Sequence, residues 1–175
     1  MNPGLDVLVL RGAPGVGKST LGRGLRRALA RGAVVEVDDL RAMITQVDWS
    51  NRAHHDLALE VAQVALARFV ALDARPAVLV DTFSRGRLTA VQTRLDDAGL
   101  RHHTVSIWVE PTVLAARLEA RTAGFKDWEP SRILNEEVRA NRYPHEQLVD
   151  ATALDPEALL RQVLDLIGPD QEGAA

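Results

Sequence analysis

The chain has no cysteine among its 175 residues, which excludes disulfides, thiolate metal sites and cysteine nucleophiles and fits a reducing cytoplasm. No apolar run approaches the roughly 18 residues of a membrane-spanning helix, and no charged stretch followed by an apolar leader precedes the first strand. Charge of neither sign dominates: the formal net charge is −3, which argues against a broad nucleic-acid-coating surface while leaving room for a local basic groove. Repeats and Gly/Pro/Ser-rich linkers are also missing. These absences predict a single domain over residues 1–168, with a Gly/Pro/acid-rich flexible tail over 169–175.

What is present concentrates near the amino end. Gly12-Ala13-Pro14-Gly15-Val16-Gly17-Lys18-Ser19-Thr20 matches the phosphate-loop pattern G-x-x-x-x-G-K-[ST] without a mismatch. The apolar run from Leu5 to Leu10 reads as a buried strand, and Leu21, Leu25, Ala28 and Leu29 recur behind the loop at helical spacing. A glycine-rich loop between strand and helix turns successive N–H groups toward an anion at the positive end of the helix. The pattern predicts a nucleoside-triphosphate site in which Lys18 reaches the β- and γ-phosphates and Ser19 ligates Mg²⁺.

Strand-like and helix-like segments then alternate, the signature of a parallel sheet covered on both faces. Further strands are predicted over 33–37, 77–80, 103–109 and 147–151. A short helix is predicted over 40–47 and a long one over 52–74, apolar on most sides and so expected to be largely buried. The fold class is α/β: a P-loop fold with a five-stranded, mostly parallel sheet, helices on both faces and a short helical lid at about 122–142.

A phosphate loop alone does not separate kinases from GTPases or ATPases. No N-K-x-D guanine motif is present, so ATP is the expected nucleotide. Open α/β sheets bind ligands at the carboxyl ends of their strands, and two carboxylate positions fall there. Asp38 and Asp39 follow the second strand; each either caps the next helix or takes a proton from an acceptor hydroxyl and aligns its oxygen, and one can cap while the other works. Asp81 follows Val78-Leu79-Val80, where a carboxylate either holds Mg²⁺ or terminates the strand as a turn residue. Arg117 and Arg121 stand four apart in one helix, and like charges at that spacing cost about 0.2–0.5 kcal/mol. An anion between them reverses the cost and marks a site for a transferring phosphoryl group; the alternative is a solvated basic helix end. Residues 122–128 read as a flap hinged at Gly124.

In order and spacing over roughly residues 5–142, the chain resembles the P-loop kinase group of phage-type polynucleotide 5′-kinases, zeta-toxin-like kinases and chloramphenicol phosphotransferase. The phosphate loop, Asp38-Asp39-Leu40-Arg41, Asp81-Thr82 and the Arg117/Arg121 pair carry the likeness. The resemblance implies Asp38 as general base, Arg121 as a lid arginine on the ATP phosphates, and Arg41 at an acidic group of the acceptor. It extends the acceptor side to Thr82, with Arg85, Arg87 and Arg94 following as groove residues or as an exposed helix face. His54, His55 and Trp49 form either an acceptor pocket or a polar helix face, and Phe125 and Trp128 are lid aromatics placed to stack on adenine. The expectation is an ATP- and Mg²⁺-dependent kinase acting on a nucleic-acid 5′-hydroxyl or nucleotide-like acceptor. The alternatives are a metabolite or antibiotic acceptor and, from another class, an ATP-binding switch.

Overall fold

Five short runs rich in Val, Leu and Ile form one sheet: β1 (Val7–Gly12), β2 (Ala33–Glu36), β3 (Ala77–Val80), β4 (His102–Trp108) and β5 (Glu146–Asp150). The computed structural model describes residues 4–122, 124–140 and 143–168, with the backbone alone described for Arg85. Every strand pairing is parallel and the order is β2-β3-β1-β4-β5. Parallel neighbours require crossovers, and the helices supply them: α1 (Lys18–Ala28), α2 (Val37–Ala42), α3 (Arg52–Ala71), α4 (Arg85–Asp97), α5 (Pro111–Glu119), α6 (Trp128–Ala140) and α7 (Pro156–Ile167).

The period of two along β1 divides the core. Leu8 and Leu10 pack on one face with Leu21 and Leu25 of α1, Leu114 of α5 and Val163 of α7. Val7 and Val9 pack on the other with Leu59 and Leu66 of α3 and Leu88 and Val91 of α4. Each such fully buried side chain contributes about 1.5–3 kcal/mol relative to exposure, so both faces of the central strand are held. Among the described residues no helix is long and apolar enough to cross a membrane.

The limits of β2, β4 and β5 shift by one residue and α2 stops at Ala42 rather than 47; three other helix ends differ from expectation, each for a local reason. α2 begins at Val37 rather than Leu40, because Asp38 and Asp39 occupy its first turn, where the helix dipole favours carboxylates. α3 ends at Ala71, where Asp73 adopts φ 61° and the N–H of Ala74 returns to the Phe69 carbonyl, a left-handed helix exit. α5 ends at Glu119, and the Arg121 N–H closes a tighter turn onto the Leu118 carbonyl at 3.3 Å. The expected tail 169–175 and lid residues 123, 141 and 142 lie outside the described residues.

Candidate active site

The phosphate loop joins β1 to α1 at the carboxyl edge of the sheet. Gly17 caps α1 with φ 110°, a conformation that L side chains rarely adopt. Lys18 Nζ donates to the carbonyls of Gly12 at 2.8 Å and Ala13 at 3.0 Å, so its ammonium lies along the loop. Desolvation there pushes the Lys18 pKa down to about 8, against the attraction of Asp81 and Asp38. Ser19 and Thr20 are exposed at the start of α1.

Three carboxylates converge opposite the loop. Asp38 is exposed in the first turn of α2. Desolvation and the like charge of Asp81 push its pKa up from the ordinary carboxylate value, while Lys18, His55 and Arg41 pull it back. Asp81 is buried directly after β3. His55 Nε2 approaches its Oδ2 to 2.9 Å but off the hydrogen-bonding direction, so that oxygen has no hydrogen-bond partner. Glu36, at the end of β2, is the third. Burial raises its pKa, and a hydrogen bond from Ser19 opposes that rise. Glu36 was not among the expected site residues: as the last residue of a short strand, two before the Asp38-Asp39 pair, it carries no motif of its own.

The two arginines expected to act together are divided by the end of α5. Arg117 points under the phosphate loop, where Nη1 donates to the Val16 carbonyl at 3.0 Å and Nη2 to the Ala151 carbonyl at 3.2 Å. Arg121, beyond the helix, lies within electrostatic reach of Lys18. Gly124 approaches it so closely that an added Cβ would stand 2.6 Å from Arg121 Nη2, so the flap backbone packs on this guanidinium.

Arg41, expected at an acceptor phosphate, is buried. Its Nη2 donates to the carbonyls of Asp48, Trp49 and Asn51 at 3.1, 2.6 and 3.2 Å, and its guanidinium lies 4.9 Å from the Trp49 ring centroid. It clasps the loop between α2 and α3, leaving a buried Nε without a partner. His54 accepts from the Asp48 N–H in the same loop. Thr82 is half-buried beside Asp81, whereas the Arg85 side chain lies outside the described residues. Arg87 pairs with Asp56 and Arg94 donates to Gln63, both on α3. Phe125 and Trp128 are exposed.

Two further features lie outside the sequence expectations. A cavity of about 320 Å³ lies between the phosphate loop and the start of α7, lined among others by Gly15, Thr20, Arg117, Asp155 and Pro156. Its signal was there: Asp155 caps α7 by accepting from the Ala158 N–H, and Pro156 opens the helix. The second is Arg11, a charge in an otherwise apolar strand. It is wholly buried, with Nε donating to the Phe83 carbonyl at 2.7 Å, Nη1 to Glu146 at 3.2 Å and Nη2 to Glu137 at 2.7 Å. Ser106 also donates to Glu146.

The strand order and the phosphate loop define an α/β fold of the P-loop kinase type. The chain belongs to the AAA domain family, whose pattern matches residues 7–148. No curated protein matches the sequence. Among solved structures it is similar to the tunicamycin resistance protein of Deinococcus radiodurans, at 17% identity and TM-score 0.69, covering 95% of this chain and 97% of that one. It is similar also to a gluconokinase from Sinorhizobium meliloti 1021, at 22% identity and TM-score 0.60, covering 93% and 90% respectively. A shikimate kinase from Bacteroides thetaiotaomicron matches at 17% identity and TM-score 0.65, covering 94% and 99%. At these identities the likeness is one of fold. It supports the kinase-type P-loop architecture rather than the polynucleotide-kinase, zeta-toxin-like or chloramphenicol phosphotransferase relatives in particular.

Proposed function

We propose that the protein is a kinase that transfers the γ-phosphoryl group of ATP to a hydroxyl of a small molecule. The observation that carries this reading is the convergence of Asp38, Asp81 and Arg121 on Lys18, whose charge is coupled to all three. A nucleotide-binding switch needs the loop and a metal carboxylate, but it has no use for a second carboxylate poised to accept a proton.

In this reading the loop N–H groups of residues 15–20 cradle the phosphates, and the 320 Å³ cavity beside Arg117 and Pro156 receives the base. Asp38 accepts the proton of the acceptor hydroxyl as that oxygen bonds to the γ-phosphorus. The bond from the γ-phosphorus to the bridging oxygen breaks, and its electron pair leaves with ADP. Lys18 and Arg121 hold the charge that spreads over the transferring group, while Arg117 braces the loop from below. The donors fit Mg²⁺: the Ser19 hydroxyl, the Asp81 Oδ2 left without a hydrogen-bond partner, and Glu36 beside Ser19. Mg²⁺ takes one or two carboxylates plus phosphate oxygens rather than an all-protein cage. Among the described residues no three His, Asp or Glu side chains are grouped to hold a metal by themselves, so in this reading phosphate oxygens complete the coordination. Bound there, the ion would neutralise charge on the β- and γ-phosphates.

Three observations favour a small acceptor over a nucleic-acid end. Two of the similar structures are by name a gluconokinase and a shikimate kinase. Arg41, the residue expected to receive an acceptor phosphate, is engaged by three backbone carbonyls and an indole. The chain is net acidic. The test supplies γ-labelled ATP and Mg²⁺ with gluconate, shikimate, other sugars and sugar acids, tunicamycin, other hydroxyl-bearing antibiotics and a 5′-hydroxyl oligonucleotide, alongside Asp38→Asn. Label on a small molecule, lost in Asp38→Asn, is the expected result. Label on the oligonucleotide alone would restore the nucleic-acid acceptor. ATP hydrolysis without a labelled acceptor, unchanged in Asp38→Asn, would make the protein a switch.

A further inference from the structure

α3 is apolar on nearly every side, yet the fold covers only half of it. Its inner face carries His55, Ala58, Leu59, Ala62, Leu66 and Val70, all buried. At about 100° per residue, the opposite face is centred on Val64 and carries Leu57, Glu60, Val61, Ala67, Arg68 and Ala71 within about 60° of it. All of these are exposed, Val64 at 72% and Leu57 at 52%. The largely buried helix expected from the sequence is thus half-solvated, and an apolar stripe of this kind marks an interaction surface.

The stripe is complementary to itself. Positions equally distant from Val64 along the helix pair large with small and acid with base: Leu57 with Ala71, Val61 with Ala67, Glu60 with Arg68. A two-fold axis through Val64 sets two copies of α3 antiparallel and brings the members of each pair to the same height. Glu60 and Arg68 stand about 12 Å apart along one helix, too far to pair within it. Across two helices about 8–10 Å apart they come within reach of each other's partner, and Ala67 and Ala71 leave room for Val61 and Leu57. From this self-complementarity we infer that the protein is a symmetric homodimer joined by antiparallel packing of its α3 helices. The charge pair occurs twice per dimer and sets the register, while Val64 meets its own copy at the axis.

Sedimentation equilibrium of the full chain tests this, over a concentration series wide enough to cover the roughly micromolar dissociation constants of small interfaces. The mass is expected to rise to twice that of one chain. Val64→Glu and Glu60→Arg should each raise the dissociation constant by about tenfold or more, and Glu60→Arg with Arg68→Glu should restore it to within about threefold of the wild type. All three positions are exposed in the protomer, so each variant should keep the wild-type thermal midpoint at monomeric concentrations. Monomeric wild type throughout the series would overturn the proposal. So would a dimer indifferent to Val64→Glu, or a charge-swapped variant no better than its single parent. A monomer that floats with phosphatidylcholine vesicles would likewise overturn it and give the stripe to a lipid surface.

Discussion

His55 Nε2 lies 2.9 Å from Asp81 Oδ2, tying the first turns of α3 to the carboxyl end of β3. The histidine is buried, so it fixes where the carboxylate sits without filling its hydrogen-bonding capacity. His55→Ala should therefore act through Asp81. We expect a fall in kcat of about tenfold, equivalent to about 1.4 kcal/mol, and a rise in the Mg²⁺ concentration needed for half-maximal rate. His55→Gln, which keeps a polar group near that position, should lose less. An unchanged Mg²⁺ dependence in His55→Ala would show that the contact only fills space.

The depressed pKa of Lys18 has a direct consequence for nucleotide binding. Below about 8 the ammonium is charged and above it the charge is lost, because burial outweighs the pull of Asp81 and Asp38. ATP phosphates favour the charged form, so binding near that pH takes up a proton. ATP affinity should fall above it by up to about tenfold per pH unit. Calorimetry at pH 8.5 in buffers of different ionisation enthalpy should show this uptake, and Lys18→Arg, charged throughout, should abolish it. A binding enthalpy independent of buffer would contradict the assignment.

How far the sequence could be read depended on how local each feature was. The phosphate loop, the aspartates at strand ends and the alternation of elements are set within a few residues, so the strands fall within two residues of expectation, whereas α2 stops at Ala42 rather than 47. Arg117 and Arg121 were legible as a spacing but not as a pair, since the helix stops between them and Arg117 turns toward Val16 and Ala151, far away in sequence. Arg41 and Trp49 cluster only because a loop folds back. The outer face of α3 looked like core because apolar residues on both sides of a helix carry no mark of which side the fold covers. Arg11 was unreadable as a hub until β1 was placed beside β4 and under α6.

Arg117 binds carbonyls from the phosphate loop and from the end of β5. Charged hydrogen bonds of this kind contribute about 1.5–3 kcal/mol each, and removing the side chain leaves both carbonyls short of a donor. Arg117→Ala should lower the thermal midpoint by several degrees, at about 2–4 °C per kcal/mol for a chain of this size. It should also raise the KM for ATP more than it lowers kcat, since the loop loses its brace while Lys18 and Asp38 remain. Arg121→Ala should show the opposite division, with kcat falling by about 10²-fold and stability little changed. Steady-state kinetics and thermal melts of the two variants side by side separate these roles. Equal effects would return the arginines to a joint role.

Arg11 should prove the most costly single residue to remove. Its side chain and that of Glu146 are fully buried, and Glu137 is only partly exposed, so the guanidinium is buried against two carboxylates. Deleting one member of a buried ion cluster leaves uncompensated charge and costs about 3–5 kcal/mol. Arg11→Met is thus expected to lower the urea midpoint sharply with little change in slope. Arg11→Lys keeps the charge but lacks the fork that reaches Phe83, Glu137 and Glu146 together, and it should recover only part of the loss. The decisive variant is Arg11→Met with Glu137→Gln and Glu146→Gln. If stranded charge is the cause, neutralising both carboxylates returns much of the lost stability, because a neutral buried cluster carries no ion to desolvate. If the triple variant is no more stable than Arg11→Met, the arginine acts through its hydrogen bond to Phe83, at φ 39° one of four non-glycine residues with positive φ among those described, and the charge account fails.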